Sequence, residues 1–185
     1  MRKLVLYFVK YFTFVCCLFL PLSNVSAKDA IYTCGDVLQI AIPAYAFGVT
    51  LIKDDHEGSK QFAYSCISTA VVVNGLKYAT DDTPLGRRPN GGRHSFPSGH
   101  TSSAFQGAFF LQKRYGWKYG VPAMALAGFT AYTRLHGKYH HGRDVAAGIG
   151  IAFLLNWIFV EKFNNENIQF GSSGDGINVT LTKTF

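Results

Sequence analysis

Five apolar segments of helical length constrain this chain more than any other feature: Asp36 to Ile52, Gln61 to Ala79, Ser98 to Tyr115, Gly120 to Leu135 and Asp144 to Lys162. The breaks between them carry helix-stopping chemistry. These are the charged run Lys53-Asp54-Asp55-His56-Glu57-Gly58, the Pro/Gly/Arg stretch from Thr83 to Pro97, Gly116, and His136-Gly137. The expected fold is therefore all-α, a single helical bundle, because 185 residues give one domain a real core but hardly two. With 48% hydrophobic and 16% charged residues, the composition excludes a disordered chain. Only the tail changes character. Residues 166–185 alternate as Ile177-Asn178-Val179-Thr180-Leu181-Thr182 after a Gly171-to-Gly176 turn region, and read as a small β-like hairpin.

Residues 1–27 have the order of a secretory signal: Arg2 and Lys3, an apolar run from Leu4 to Leu20 interrupted at Lys10, and small residues at Val25-Ser26-Ala27. The expected division is thus a signal peptide at 1–27 (or a retained first membrane helix), a helical domain at 28–165 and a tail at 166–185. Cleavage would lower the formal net charge from +7 to +4 by removing Arg2, Lys3 and Lys10. That excess suits an anionic substrate or a membrane surface. It does not suggest nucleic acid, because no basic stripe interleaved with aromatics is present. Cys34 and Cys66 would remain in an oxidising compartment, where they could pair or stay apart as buried small hydrophobes.

The best apolar runs, Val37 to Ile52 and Val145 to Val160, reach 16 residues with Gln39 or Asn156 inside them. A spanning helix wants about 20. The third segment carries Ser102, Ser103, Gln106 and Gln112. These features favour a compact periplasmic bundle resting on a membrane surface. The alternative is a multi-pass inner-membrane protein of six helices, with Lys53, Lys60, Lys113, Arg114 and Lys118 on the cytoplasmic side together with Arg2 and Lys3.

Cationic and histidine residues gather at the ends of consecutive segments: Lys77 with Arg88-Pro89, then Pro97-Ser98-Gly99-His100, then Arg134 with His140 and Asp144. Together they describe an oxyanion site. Ser98 reads as an N-cap and Gly99 as a close backbone approach, so that free N–H groups at a helix start face the anion. Arg88 and Arg134 offer planar forks for phosphate oxygens, and Lys77 a point charge. Four residues apart at a helix start, Asp144 can accept from one nitrogen of His140 and leave the other as a nucleophile. His100, from another helix, can protonate a departing oxygen. His136, His140, His141 and Asp144 could also be read as a metal cluster, but Arg88 and Arg134 nearby would repel a cation.

The order Lys77, Arg88-Pro89, Pro97-Ser98-Gly99-His100, Arg134, His140, Asp144 resembles the three-part signature of the type 2 phosphatidic acid phosphatase (PAP2) and vanadium haloperoxidase superfamily. The resemblance implies a helical bundle with its active site where helix ends cluster. It also implies a metal-independent, cofactor-free phosphatase acting on phosphate monoesters or pyrophosphates. In that reading His140 is the nucleophile, Asp144 its orienting partner and His100 the general acid, while Lys77, Arg88, Ser98, Gly99 and Arg134 hold the phosphate. Ten residues separate Lys77 from Arg88, a wider gap than the family usually has, which leaves Arg87 as a second candidate beside Arg88. Thr133-Arg134 stands where the family usually has Ser-Arg. The alternatives are a vanadate-dependent haloperoxidase and a non-catalytic anion-binding envelope protein. The expected partner is a phosphorylated lipid or a small phosphate ester, with Phe96 and Tyr139 as candidate contacts to its organic part. His94 reads as a loop residue near the substrate, His141 as a pocket wall or a surface residue, and His56 as solvated.

Overall fold

The computed structural model describes residues 27–163, 166–173 and 176–183, and side chains from 29 to 163. The signal-peptide reading lies outside the described residues, apart from Ala27 itself. Among the described residues five helices form the bundle: α1 Ala27–Ile52, α2 His56–Thr80, α3 Gly99–Tyr115, α4 Trp117–His136 and α5 Gly142–Phe159, with a 3₁₀ turn at Pro84–Gly86. The two strands that follow, β1 Glu166–Ser173 and β2 Gly176–Lys183, pair as an antiparallel hairpin with Glu166 opposite Lys183. Strand residues reach Ser173, so the turn is shorter than the Gly171-to-Gly176 region suggests.

Helix α3 is the axis of the bundle, packed against α1, α2, α4 and α5. This placement explains its polar residues. Gln106 and Ser102 are buried, Gln106 Nε2 donates to Ser65 Oγ at 2.9 Å, and Ser103 Oγ donates to the Gln39 carbonyl at 2.7 Å. Around them Leu38, Ile42, Ala46 and Val49 of α1 meet Ala104, Ala108, Phe110 and Leu111, and Phe62 packs edge-on to Phe110. Gly107 is required at the α1–α3 crossing, because a Cβ there would lie 2.7 Å from Pro43 Cα. The helices also run longer than the apolar segments. α1 begins nine residues before Asp36, since polar Asp29 and Thr33 are tolerated near its solvent-facing start, where Thr33 Oγ1 donates to the Asp29 carbonyl.

Cys34 and Cys66 are both free thiols, so the possible disulfide is not formed. At the end of the bundle away from the motifs, Arg114 closes the structure. Its guanidinium donates to both Asp55 oxygens at 2.6 and 2.8 Å, and also to Gln61 Oε1 and the Glu161 carbonyl. Asp55 accepts further bonds from Tyr115 Oη and from the Gly58 N–H. Helix α2, the end of α3 and the chain after α5 are thereby joined through one buried ion pair. Arg114→Met, which leaves the Asp55 carboxylate buried and unpaired, is expected to cost about 3–5 kcal/mol. Adding Asp55→Asn should recover part of that loss. Denaturant midpoints of the full chain check both, and a single mutant as stable as wild type would refute the role.

Candidate active site

The opposite end gathers the C-termini of α2 and α4 and the N-termini of α1, α3 and α5, so that every motif residue comes from a helix end or an adjoining turn. Helix ends leave backbone N–H and C=O groups unsatisfied, and here they are used to bind the segments to one another. The Asp144 carbonyl accepts the Ser98 N–H at 2.9 Å, which fixes the start of α3 against the start of α5. Ser98 flanks α3 as expected, but its hydroxyl lies 2.9 Å from Thr101 Oγ1 and caps no backbone donor. The Gly99, His100 and Thr101 amides remain as first-turn donors.

His140 lies in the turn before α5 rather than on the helix. The α5 N-cap is His141, and the Asp144 carboxylate accepts its N–H at 2.9 Å. His140 and Asp144 are both buried, with Nδ1 to Oδ2 at 3.7 Å, too long for a hydrogen bond. His140 Nδ1 and Asp144 Oδ1 are buried without a hydrogen-bond partner. The same Asp144 Oδ2 accepts from Ser95 Oγ at 2.5 Å, and Ser95 is fully buried. Ser95 is the residue sequence reasoning missed: a serine two residues ahead of a motif has no signature of its own, and only the fold of the 81–97 loop brings it onto Asp144.

Lys77 reaches the same centre despite the wider spacing. α2 continues to Thr80 and the loop doubles back through the 3₁₀ turn, so the intervening residues are taken up without moving Lys77 away. Lys77 Nζ donates to the His94 carbonyl at 2.8 Å and its Cε borders Gly99. Burial, and then the Arg88 charge, push the Lys77 pKa down to about 8, with Asp144 opposing. Arg88 is half-buried, and its Nε has no partner. Arg87 is exposed, and its carbonyl lies 3.2 Å from His141 Nε2, so the Arg87 side chain is not brought to the centre.

Burial first, then Lys77 and Arg88, hold His140 down at about 4, against the opposing pull of Asp144 and the Ser95 carbonyl. The imidazole is therefore neutral at neutral pH. His100 is also below its ordinary value, from burial and the Arg134 charge, partly countered by Asp36. Arg134 is buried. Its Nη1 donates to Asp36 Oδ1 at 2.7 Å, its Nη2 to the Tyr32 carbonyl at 3.1 Å, and its Nε to Thr133 Oγ1 at 3.0 Å. Tyr139 covers it, with the guanidinium carbon 5.2 Å from the ring centroid, and meets Tyr32 edge-on. Phe96 is partly buried, and its carbonyl accepts from Thr80 Oγ1. His136 stacks on Tyr132, His94 packs edge-on to Tyr78, and the exposed His56 pairs with Asp54. Of the histidine and acid group that could be read as a metal cluster, His136 and His141 are thus engaged elsewhere.

The sequence pattern of the PAP2 superfamily matches residues 56–168, and the chain belongs to that superfamily. Its relatives include a lipid A 4'-phosphatase of Helicobacter pylori, 34% identical over 70% of this chain and 69% of the relative. A lipid A 1-phosphatase of the same strain is 32% identical over 69% of this chain, which spans 66% of that protein. The crystal structure of Aquifex aeolicus LpxE shares the fold, with a TM-score of 0.61 and 19% identity over 78% of this chain and 91% of that one. The chain is a phosphoric monoester hydrolase of the PAP2 type.

Proposed function

We propose that this chain removes a phosphate from a membrane lipid, with lipid A the leading substrate class, through a phosphohistidine on His140 and without a metal. The observation that carries the reading is a neutral, buried His140 beside two cations, Lys77 and Arg88, with an Arg88 N–H buried and unpartnered. A phosphate supplies the missing partner. It would be held by Lys77, Arg88, Arg134 and the first-turn amides of α3, beginning at Gly99, with Ser98 fixing that turn. His140 Nε2 attacks phosphorus while the bond to the leaving oxygen breaks and His100 donates a proton to that oxygen. Asp144 accepts from Nδ1–H and stabilises the imidazole as it becomes cationic. Water, losing a proton to His100, then attacks phosphorus, the P–N bond breaks, and phosphate leaves.

The lipid relatives favour lipid A over a small ester, and the surface agrees. Ile40, Ile67, Val71, Val121, Leu154 and Ile158 are more than half exposed on the outer faces of α1, α2, α4 and α5. Asp29–Ile52 and Gly142–Phe159 are long and apolar enough to cross a membrane by length and composition. An apolar belt that runs round the bundle fits a multi-pass protein better than a compact soluble one. Trp117 and Trp157 sit toward the Arg114 end, where interfacial aromatics belong. The domain division is then a helical unit at 28–165, followed by the tail. If the Leu4-to-Leu20 run crosses outward from Arg2 and Lys3, α1 begins on the periplasmic side, and the site lies there whether or not that run is removed.

Three outcomes test this reading. Purified full chain should release phosphate from lipid A 1- or 4'-phosphate, keep its activity in strong chelator and lose it to orthovanadate. His140→Ala should lose turnover of every ester and form no acid-labile, base-stable phosphoprotein. Labelled phosphoprotein in His140→Ala, or dependence on added zinc, would overturn it.

The pH profile follows from the signs of the shifts. His140 must be neutral, so kcat/KM is full above its pKa and falls as pH drops through about 4. His100 must be protonated, so with an alkyl or lipid ester kcat/KM falls on the alkaline side below 6.5. An aryl ester, which leaves without a proton, should lack that alkaline limb. A bound phosphate dianion raises the His100 pKa, so the same limb in kcat should lie at higher pH. Identical alkaline limbs for both ester types would remove His100 from the acid role.

Membrane residence is checked by extraction. The full chain should stay with the membrane through a high-salt or alkaline wash and come away only in detergent. Release by salt would return the chain to the surface-bound periplasmic form.

A further inference from the structure

Asp36 has no part in the signature, yet its carboxylate is bound to two residues that the signature does assign. Oδ1 lies 2.7 Å from Arg134 Nη1 and 3.1 Å from His100 Nε2. An oxygen that touches an arginine fork and the proton-donating imidazole together is in the position a phosphate oxygen of the substrate must reach. The carboxylate is free to leave it, because the Asp36 side chain is 53% exposed while that of Arg134 is 5% exposed. The start of α1 is built round this contact. A Cβ at Gly35 would stand 2.2 Å from Thr133 Oγ1 and 2.7 Å from Arg134 Nη2, so the helix can approach only with glycine there. Arg134 would keep its shape without Asp36, since the Tyr32 carbonyl and Thr133 hydroxyl hold two of its nitrogens.

We propose that Asp36 is a positioning residue that fills the phosphate position at rest and is displaced by the substrate's phosphate. Until then it holds the proton on His100 Nε2 that the leaving group will take. The charges facing His100 are Asp36 from α1, Arg134 from α4 and Arg88 from the 81–97 loop, with Lys77 of α2 beside Gly99. Asp36 is the one anion among them. It partly offsets the burial and the Arg134 and Arg88 charges that pull the His100 pKa down, and it neutralises a buried guanidinium when no ligand is bound. A competing anion also weakens every oxyanion that must take its place. This inference rests on the phosphatase reading above and names a residue that reading does not use.

The test is orthovanadate inhibition of the purified full chain, with thermal protection by inorganic phosphate as a readout apart from activity. Asp36→Asn, which keeps the shape and removes the charge, should bind vanadate on the order of tenfold more tightly. Phosphate protection should begin at a correspondingly lower concentration. The alkaline limb of kcat/KM with an alkyl ester should move to lower pH, because His100 loses its only anionic neighbour. Asp36→Glu, which keeps the charge, should show no such tightening. A residue that merely shaped Arg134 would do the opposite, so weaker or unchanged vanadate binding in Asp36→Asn overturns the proposal. If neither Asp36→Asn nor Asp36→Ala folds, Asp36 belongs to the architecture and the proposal also fails. Wild-type protein that neither releases phosphate nor binds vanadate would instead defeat the phosphatase reading itself.

Discussion

The buried carboxylate of Asp144 is the constraint on which the functional end of this protein depends. A carboxylate with no solvent exposure must be supplied with donors or it destabilises the fold. Here one oxygen takes the Ser95 hydroxyl and the His141 amide, while the backbone carbonyl of the same residue takes the Ser98 amide. The 81–97 loop, the start of α3 and the start of α5 are therefore fixed by one residue. His140 follows from that arrangement, because a residue one step before the α5 N-cap can only project into the space the other two segments enclose. The geometry that stabilises the acid thus also sets the histidine.

The same end works against ordinary stability in a way that suits an anion site. Lys77, Arg88 and Arg134 are brought together with two histidines in partly buried surroundings, and among the described residues Asp144 and Asp36 relieve their mutual repulsion. Burial first, and that repulsion second, make both Lys77 and His140 hold their protons less firmly. The opposite end is built the other way, with Arg114 saturated by Asp55, Gln61 and a backbone carbonyl. One end stores unbalanced positive charge and the other spends its charges on closure. The bundle holds the first because α3, packed on all four neighbours, ties it to the second.

Much of this was legible in the sequence, and what was not has physical causes. The helix count and the grouping of Lys77, Arg88, His100, Arg134, His140 and Asp144 at helix ends follow from apolar periodicity and motif spacing. Helix boundaries were less legible: α1 starts well before its apolar face, because an exposed first turn needs no hydrophobic residue. Ser95 and Asp36 were invisible for a different reason. Each acts through a contact made across the fold, 49 residues from Ser95 to Asp144 and 98 from Asp36 to Arg134, and no local pattern encodes a partner so far away. The polar residues of α3 were misleading in the opposite sense. Ser102 and Gln106 argue against a helix in an apolar setting only until the helix is known to be the central one, where Gln106 Nε2 donates to Ser65 of the neighbouring helix and the Ser102 hydroxyl bonds back to the Gly99 carbonyl of its own helix.

The depth of the site relative to the apolar belt bears on how a lipid phosphate would meet it. A lipid's phosphate sits in the headgroup layer, just outside the hydrocarbon, and the cationic cluster lies at helix ends just beyond the exposed apolar faces. On α4 the two zones are joined without a gap. Phe129 packs near Tyr132, Tyr132 stacks on His136, His136 meets Tyr32, and Tyr32 meets Tyr139, which covers Arg134. This aromatic series runs from the outer face to the guanidinium, with amphipathic rings suited to an interface along its length. If the proposed substrate is a membrane lipid, such a series would offer its chains apolar rings while the phosphate approaches the Arg134 end of the bundle. A soluble ester would gain nothing from such rings, which is why these contacts support the lipid substrate proposed above over a small one.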